Sequence, residues 1–272
     1  MQVVNHLLLD DAGNDLGPAT SPNRGAALAQ PTLLVMHFTA GRSFDTSVKW
    51  LMDPAAKASA HLVVGRDGQV RQLVTFDVIA WHAGESSWLG RRGCNAFSIG
   101  IELDNAGELQ RQGGEWRAWF GAAIPVTEVV EAEHKDGGGV TGWQCYASAQ
   151  LEVALAAALA IIRAYPSITD VAGHEDIAPF RKRDPGPAFP MASFKARVLG
   201  RADVPPTRCR TISALNVRTG PGLGFPTVAG SPLPSGASVE VDSSSGPWRH
   251  VSAQLDGGSA LSGWVHGGYL TS

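Results

Sequence analysis

Two histidines and one aspartate in this 272-residue chain have the types and settings of a catalytic metal site. His37 closes the apolar run Thr32-Leu-Leu-Val-Met-His37, where a buried imidazole needs a hydrogen-bond partner or a metal. His174 lies in Val171-Ala-Gly-His-Glu-Asp-Ile-Ala-Pro179, just after a second short apolar run. Asp184 follows in Arg181-Lys-Arg-Asp-Pro-Gly-Pro187, where two prolines stiffen the loop. Two imidazole nitrogens and one carboxylate oxygen leave the fourth position of a tetrahedral zinc ion open, the pattern of a catalytic rather than a structural site. No local pattern such as HExxH joins the three, so spacing alone does not select them. His6, His134, His250 and His266 need no role beyond ordinary hydrogen bonding.

The elements that must position these residues are legible in outline. Thr32 to His37 and Phe97 to Leu103 are continuous apolar runs, expected as buried strands. Ser43 is placed to cap a short helix carrying Phe44, Val48 and Leu51. His61 to Val74 reads as a hairpin turning at Asp67-Gly68. Residues 105–145 read as a long insertion with strands of its own. Ser148 is expected to cap a helix from Ala149 to Tyr165 with Leu151, Leu155, Leu159 and Ile162 on one face, and a last helix runs from Met191 to Leu199. Residues 1–30, rich in Gly, Pro and Asn, read as an extended lead-in.

Several words occur in order: Val35-Met-His37, Ser59-Ala-His-Leu-Val-Val64, Trp81-His-Ala-Gly84, Cys94-Asn-Ala-Phe-Ser-Ile-Gly-Ile-Glu-Leu103, Gly173-His-Glu-Asp-Ile-Ala-Pro179 and Lys182-Arg-Asp-Pro-Gly-Pro-Ala-Phe189. Together they resemble the type 2 N-acetylmuramoyl-L-alanine amidases, in particular the AmpD-like branch, over residues 31–200. The resemblance implies an α/β domain with a central mixed sheet flanked by helices, and hydrolysis of the amide joining N-acetylmuramic acid, or its anhydro form, to L-alanine. It implies Zn2+ bound by His37, His174 and Asp184, with Glu102 and Lys182 assisting catalysis. Independently, a carboxylate beside the attacking water can pass its proton to the leaving amine, and a cation can stabilise the developing oxyanion. Without that context, Glu102 reads as a solvated acid and Lys182 as one of three exposed cations.

In the same pattern His61 and His82 sit near the groove, as residues behind the ligands or in contact with substrate. Trp81 packs either on substrate or in the core. The AmpD-like pattern has an arginine immediately before Cys-Asn, where it grips a stem-peptide carboxylate; here Gly93 stands there. Arg91 or Arg92 is the candidate replacement, which leaves stem-peptide preference open. A non-catalytic peptidoglycan recognition protein of the same fold is the alternative, and the complete set of ligands argues against it.

Composition changes after Arg201. Residues 201–210 read as a linker, and 211–272 as a small all-β domain with short strands at Leu215 to Arg218, Ser238 to Val241, Trp248 to Val251 and Gly263 to Val265. Ala214-Leu-Asn-Val-Arg-Thr-Gly-Pro-Gly222, Leu233-Pro-Ser-Gly236, Pro247-Trp248 and Gly263-Trp-Val265 resemble a bacterial SH3 domain. That likeness implies an SH3-like barrel with Asn216 and Arg218 fixing the first turn, Trp248 and Trp264 in its core, and cell-wall peptide as partner. The net charge of −3 and the absence of a basic run argue against nucleic acid and anionic lipid. Three dispersed cysteines imply neither a disulfide framework nor a thiolate metal site. The N-terminus lacks a basic n-region and no apolar stretch reaches a membrane span, so the expectation is a soluble protein made in the cytoplasm without a signal peptide. A wall-binding module would then require export by a dedicated secretion system or release on lysis.

Overall fold

Residues 1–30 do not form an extended lead-in. Strands β1 (Gln2–Val4) and β2 (Leu7–Leu9) pair antiparallel, and Leu8 is fully buried in the main core. The amide of Leu8 donates to Gln72 Oε1 at 2.7 Å. Strand β3 (Arg24–Ala27) pairs with residues 78–80, and Leu28 is buried beside it. Three-residue strands give too short a periodic signal to read in sequence, yet their leucine still needs a core to enter. The computed structural model describes residues 1–17, 21–200, 207–245, 247–254 and 260–271. It divides into two units, residues 1–124 with 131–199, and 125–130 with 200–272.

The first unit is built on β4 (Leu33–Phe38), α1 (Phe44–Leu51), β5 (Leu62–Val64), β6 (Val70–Gln72), β7 (Val78–Ala80), the short pair β8 (Ser87–Trp88) and β9 (Arg91–Arg92), and β10 (Ser98–Leu103). Five further strands fill the insertion: β11 (Glu108–Gln112), β12 (Glu115–Arg117), β13 (Ala123–Ile124), β14 (Val129–Glu133) and β15 (Val140–Gln144). They form one sheet in the order β13-β12-β11-β15-β14. Helix α2 (Ser148–Ala164), β16 (Asp170–Gly173), α3 (His174–Ile177) and α4 (Met191–Leu199) complete the unit, in which β14 is represented from Glu131 onward.

The central sheet is mixed, in the order β16-β4-β10-β5-β6. Only β6 runs antiparallel, joined to β5 by a turn in which Gly68 adopts a φ of +89°. Side chains alternate across it. Leu34, Met36, Ile99, Ile101, Leu103, Leu62 and Val64 face the core formed with α2. Leu33, Val35 and Ala172 face the other way, onto Ala83, Cys94, Phe97 and Ile177. His37 continues that second set at the end of β4, and Glu102 occupies the matching row on β10.

Ser43 caps α1 as expected, in a reciprocal capping box with Thr46. Ser148 does not cap α2. Ala147 holds that position without a side-chain bond, and Ser148 is already helical. The buried face of α2 is richer in small residues than the leucine spacing implied: Ala154, Ala157, Ala158 and Ile161 lie in the core with Leu155, while Leu151, Leu159 and Ile162 flank it. Gln150, fully buried, donates to the carbonyls of Val64 and Asp104 where β5 and β10 end.

In the second unit, β17 (Thr207–Thr211), β18 (Ser238–Ser245), β19 (Trp248–Gln254), β20 (Ala260–His266) and β21 (Leu270–Thr271) form an antiparallel sheet in the order β20-β19-β18-β17-β21. Residues 207–210, expected in the linker, belong to β17, whereas 201–206 fall outside the described residues. Leu215 to Arg218 make isolated bridges to Leu233, Thr227 and Trp264 rather than a strand. The core is aliphatic, formed by Leu215, Val217, Leu233, Val239, Val251, Ala253, Leu261 and Val265. Trp248 is buried outside that cluster, Trp264 is half-buried against His250, and Arg218 donates to Phe225 O at 2.7 Å. No described helix is long and apolar enough to cross a membrane.

Leu8→Ala tests the corrected N-terminus. Deleting a fully buried leucine side chain is expected to lower unfolding stability by about 2–5 kcal/mol in chemical denaturation; a lead-in segment would leave it unchanged.

Candidate functional site

Strand register brings the site together. In the parallel pair β4–β10, Glu102 sits opposite His37. In β16–β4, Gly173 sits opposite Met36, so His174 emerges next to His37 at the same carboxyl-terminal edge. Asp184 reaches the pair from the following loop, whose carbonyl accepts from the Glu175 amide at 2.8 Å. His37 Nδ1, His174 Nδ1 and Asp184 Oδ2 lie 2.9–3.0 Å from one another. All three residues are buried.

The outer hydrogen bonds of the two imidazoles fix their tautomers. His174 Nε2 lies 3.1 Å from the Ala83 carbonyl, which can only accept, so the proton resides on Nε2. A longer chain fixes His37. The Ser98 hydroxyl donates to Cys94 O at 2.6 Å, and His82 Nε2 donates to Ser98 Oγ at 3.1 Å. His82 Nδ1 therefore accepts from His37 Nε2 at 2.9 Å. Both Nδ1 atoms are left with lone pairs, aimed at a carboxylate oxygen, with no proton among the three. Such a cluster could hold a metal ion. Tetrahedral zinc with bonds of about 2.0–2.1 Å separates its ligand atoms by about 3.3 Å, so the donors fit with a few tenths of an ångström of opening.

The electrostatics agree. Burial, with His174 adding to it, pushes His37 down to about 4, so this imidazole is neutral at pH 7. Burial raises the Asp184 carboxyl, but the two neighbouring histidines outweigh it and hold it well below the usual carboxylate range. Burial first, and Asp184 second, push Glu102 up to about 8, while the charge of Lys182 acts in the opposite direction. Glu102 Oε2 is buried and has no hydrogen-bond partner among the described residues.

Residues 27–187 match the N-acetylmuramoyl-L-alanine amidase family. The chain belongs to that family. It is 35% identical over 186 residues to the 1,6-anhydro-N-acetylmuramyl-L-alanine amidase AmpD of Escherichia coli (strain K12), covering 62% of this chain and 82% of that one. It is 34% identical over 183 residues to N-acetylmuramoyl-L-alanine amidase AmiD of the same organism, covering 64% and 56%. Among solved structures, a crystal structure of AmpD aligns with a TM-score of 0.48 at 32% identity, over 70% of this chain and 99% of that one. AmpDh3 of Pseudomonas aeruginosa in complex with anhydromuramic pentapeptide aligns with a TM-score of 0.46 at 28% identity, over 69% and 65%.

The amidase uses its other expected site residues in different ways. His82 stands behind His37, and its ring lies so close over β10 that a Cβ at Gly100 would meet it at 2.5 Å. His61 cannot reach substrate: it is fully buried, with Nδ1 accepting from the Gly100 amide and Nε2 donating to Val78 O. Arg91 is also misplaced for substrate. It bonds Thr32 Oγ1 and stacks 3.8 Å over the Phe97 ring, at the edge where β4 and β10 begin. Thr32 and His37 are separated by about 16 Å of strand. Gly93 has a φ of +73°, which disfavours a side chain there. Trp81 is 37% exposed beside His82, and Arg92 is exposed on β9. Of the three consecutive cations, Arg181 is spent on the carbonyls of Ala83 and Glu85, and Arg183 bonds Gly137 O and Glu108. Lys182 is the one whose charge acts on His37 and Glu102.

Sequence reasoning missed a brace. His134 is buried, stacked on Trp143, and donates from Nε2 to Glu175 Oε2 at 2.7 Å. That oxygen also accepts from the Gly186 amide at 3.1 Å, so Glu175 ties together both flanks of the ligand loop. Lys135 pairs with Asp176, and Asp136 accepts from the Phe180 amide. Tyr146, which burial keeps protonated, donates to Pro185 O at 2.7 Å. His134 precedes Gly137-Gly138-Gly139 in a segment with no periodicity, and nothing local announces its partner 41 residues away. Glu175→Ala is expected to weaken metal binding by roughly 10–100-fold, read by competition with a chromophoric chelator. Unchanged affinity would show that the brace does not position the ligands.

Proposed function

We propose that this amidase is zinc-dependent: His37, His174 and Asp184 hold the ion, Glu102 moves the proton and Lys182 stabilises the oxyanion. The observation that carries this reading is the convergence of three unprotonated donor atoms beside the unpartnered oxygen of Glu102. Zinc bound there supplies a Lewis acid for the amide carbonyl and makes the attacking water more acidic. Glu102 accepts the proton of that water and delivers it to the leaving amine of L-alanine. Lys182, on the loop before Asp184, supplies positive charge where the carbonyl oxygen becomes anionic. Ala83 and the His82–Ser98–Cys94 chain hold the two imidazoles in the tautomer that ligation requires. Trp81 and Arg92 serve as substrate contacts, a reading supported by their exposure.

The second unit is an SH3-like wall-binding module, which directs the enzyme to polymeric peptidoglycan as well as soluble muropeptides. Its support is the motif series from Ala214 to Val265 together with the five-stranded antiparallel sheet. Purified sacculi are expected to release peptide. Cleavage of muropeptides with intact sacculi left untouched would contradict this part of the reading.

With a defined muramoyl-tripeptide and mass spectrometry, the protein should release L-alanyl peptide, and chelation or His37→Ala should stop it. Glu102→Gln should lower kcat by about 10²–10⁴-fold. Lys182→Ala should cost roughly 3 kcal/mol in the barrier. The sign of the pH dependence follows from Glu102: its proton-accepting form is lost as pH falls. Burial and Asp184 raise its transition towards about 8 and the zinc charge lowers it, so the acid limb of kcat/KM should centre between the ordinary 4.5 and about 8. A limb that persists in Glu102→Gln would assign it to another group.

A further inference from the structure

Of the eight tryptophans in the chain, Trp119 is the most exposed, at 69%. It lies in the insertion, in the turn between β12 and β13. Its indole N–H donates to Ala40 O at 2.7 Å. Phe120 meets it in a T-shaped contact, with ring centroids 5.6 Å apart and planes at 85°. Arg42 lies 5.2 Å over the Phe120 ring in turn. An exposed indole whose N–H is bonded and which Phe120 braces in an edge-to-face contact is a pre-organised surface, with little left to order on binding.

The anchor places this ring at the site. Ala40 is three residues past His37, so their Cα atoms are at most about 11 Å apart. The loop that holds Ala40 runs from the end of β4 into α1. Its turn is fixed by Thr39, whose amide donates to Leu103 O and whose hydroxyl accepts from the Gly41 amide. Helix α1 packs through Phe44 and Leu51 onto Val63. Val63 and His37 are both register partners of Glu102, so α1 covers the same face of the sheet as the catalytic residues. The Ala40 loop, and Trp119 with it, therefore borders that face at the carboxyl-terminal edge.

We infer that Trp119 forms a saccharide subsite, stacking on a pyranose ring glycosidically joined to the muramoyl unit whose amide is cleaved. The inference rests on the reading of this site as a muramoyl-alanine amidase. The chemistry selects the sugar over the peptide stem. An indole with its N–H already bonded offers only an apolar π face, which matches the C–H face of a pyranose and not a charged, hydrogen-bonding stem. The insertion thus extends the groove along the glycan.

Two soluble substrates with the same stem peptide test this in the full-length zinc enzyme: a muramoyl-peptide, and the same compound carrying one further N-acetylhexosamine on the muramoyl sugar. Wild type should prefer the disaccharide compound in kcat/KM. Trp119→Ala should reduce that preference by roughly tenfold or more, chiefly through KM, the size expected when a tryptophan anchor is truncated. Trp119→Phe, which keeps a flat ring but loses the bond to Ala40, should fall between. An equal loss on both substrates, or an unchanged ratio, would overturn the subsite while leaving the amidase reading intact. Failure of wild type to cleave either compound would overturn that reading and the subsite with it.

Discussion

Three electron-rich atoms held about 3 Å apart in a buried place are the constraint on which the rest of this structure depends. Left alone they repel, and desolvation removes the water that would screen them. The fold keeps them together by committing the outer nitrogens of both imidazoles to other hydrogen bonds. Carbonyls of Ala83 and Cys94, which can only accept, set the direction of the proton chain. Register between parallel strands then places Glu102 alongside His37, and a loop tied down at Glu175, Gly186 and Tyr146 brings Asp184 across. The site is consequently assembled at the carboxyl ends of strands, where open α/β sheets ordinarily bind ligands.

The insertion emerges as part of this machinery rather than as an ornament on it. One end of its sheet bears on the loop after β4 through Trp119, and the stretch from His134 to Gly137 grips the segment carrying His174 and Asp184. Both loops that leave the site are thereby attached to a single five-stranded sheet. The buried Trp143 and Trp116 give that sheet the rigidity such attachment needs.

Much of the site was legible in the chain because strand periodicity and short motifs are local. His37 at the end of an apolar run and the loop that Pro185 and Pro187 stiffen after Asp184 can be read from neighbouring residues, whereas Glu102 and Lys182 stand out only through the ordered family motifs. What was not legible depended on distant partners. His61 looks like a groove residue until both its nitrogens are seen to bond the backbone of Gly100 and Val78. Arg91 sits near the catalytic strand in sequence but folds to its opposite end, because Phe97 and Thr32 take up its guanidinium. His134 carries no mark of its bond to Glu175. Leu8 carries no strand signal in the sequence because three-residue strands have too short a period to register, though the core accepts it completely. The alanine-rich face of α2 escaped the leucine spacing for a related reason: close helix–sheet contact favours small side chains that carry little hydrophobic signal.

Proton direction in the surrounding hydrogen bonds leaves the two Nδ1 atoms, and not the Nε2 atoms, free to ligate in the proposed zinc site. Anomalous diffraction at the zinc edge on crystals of the metal-loaded protein tests it most directly. One zinc ion should lie about 2.0–2.1 Å from Nδ1 of His37, Nδ1 of His174 and a carboxylate oxygen of Asp184, with His82 and Ala83 still bonded to the opposite ring nitrogens. Zinc bound through Nε2 of either histidine, or at a site lacking any of the three residues, would contradict it.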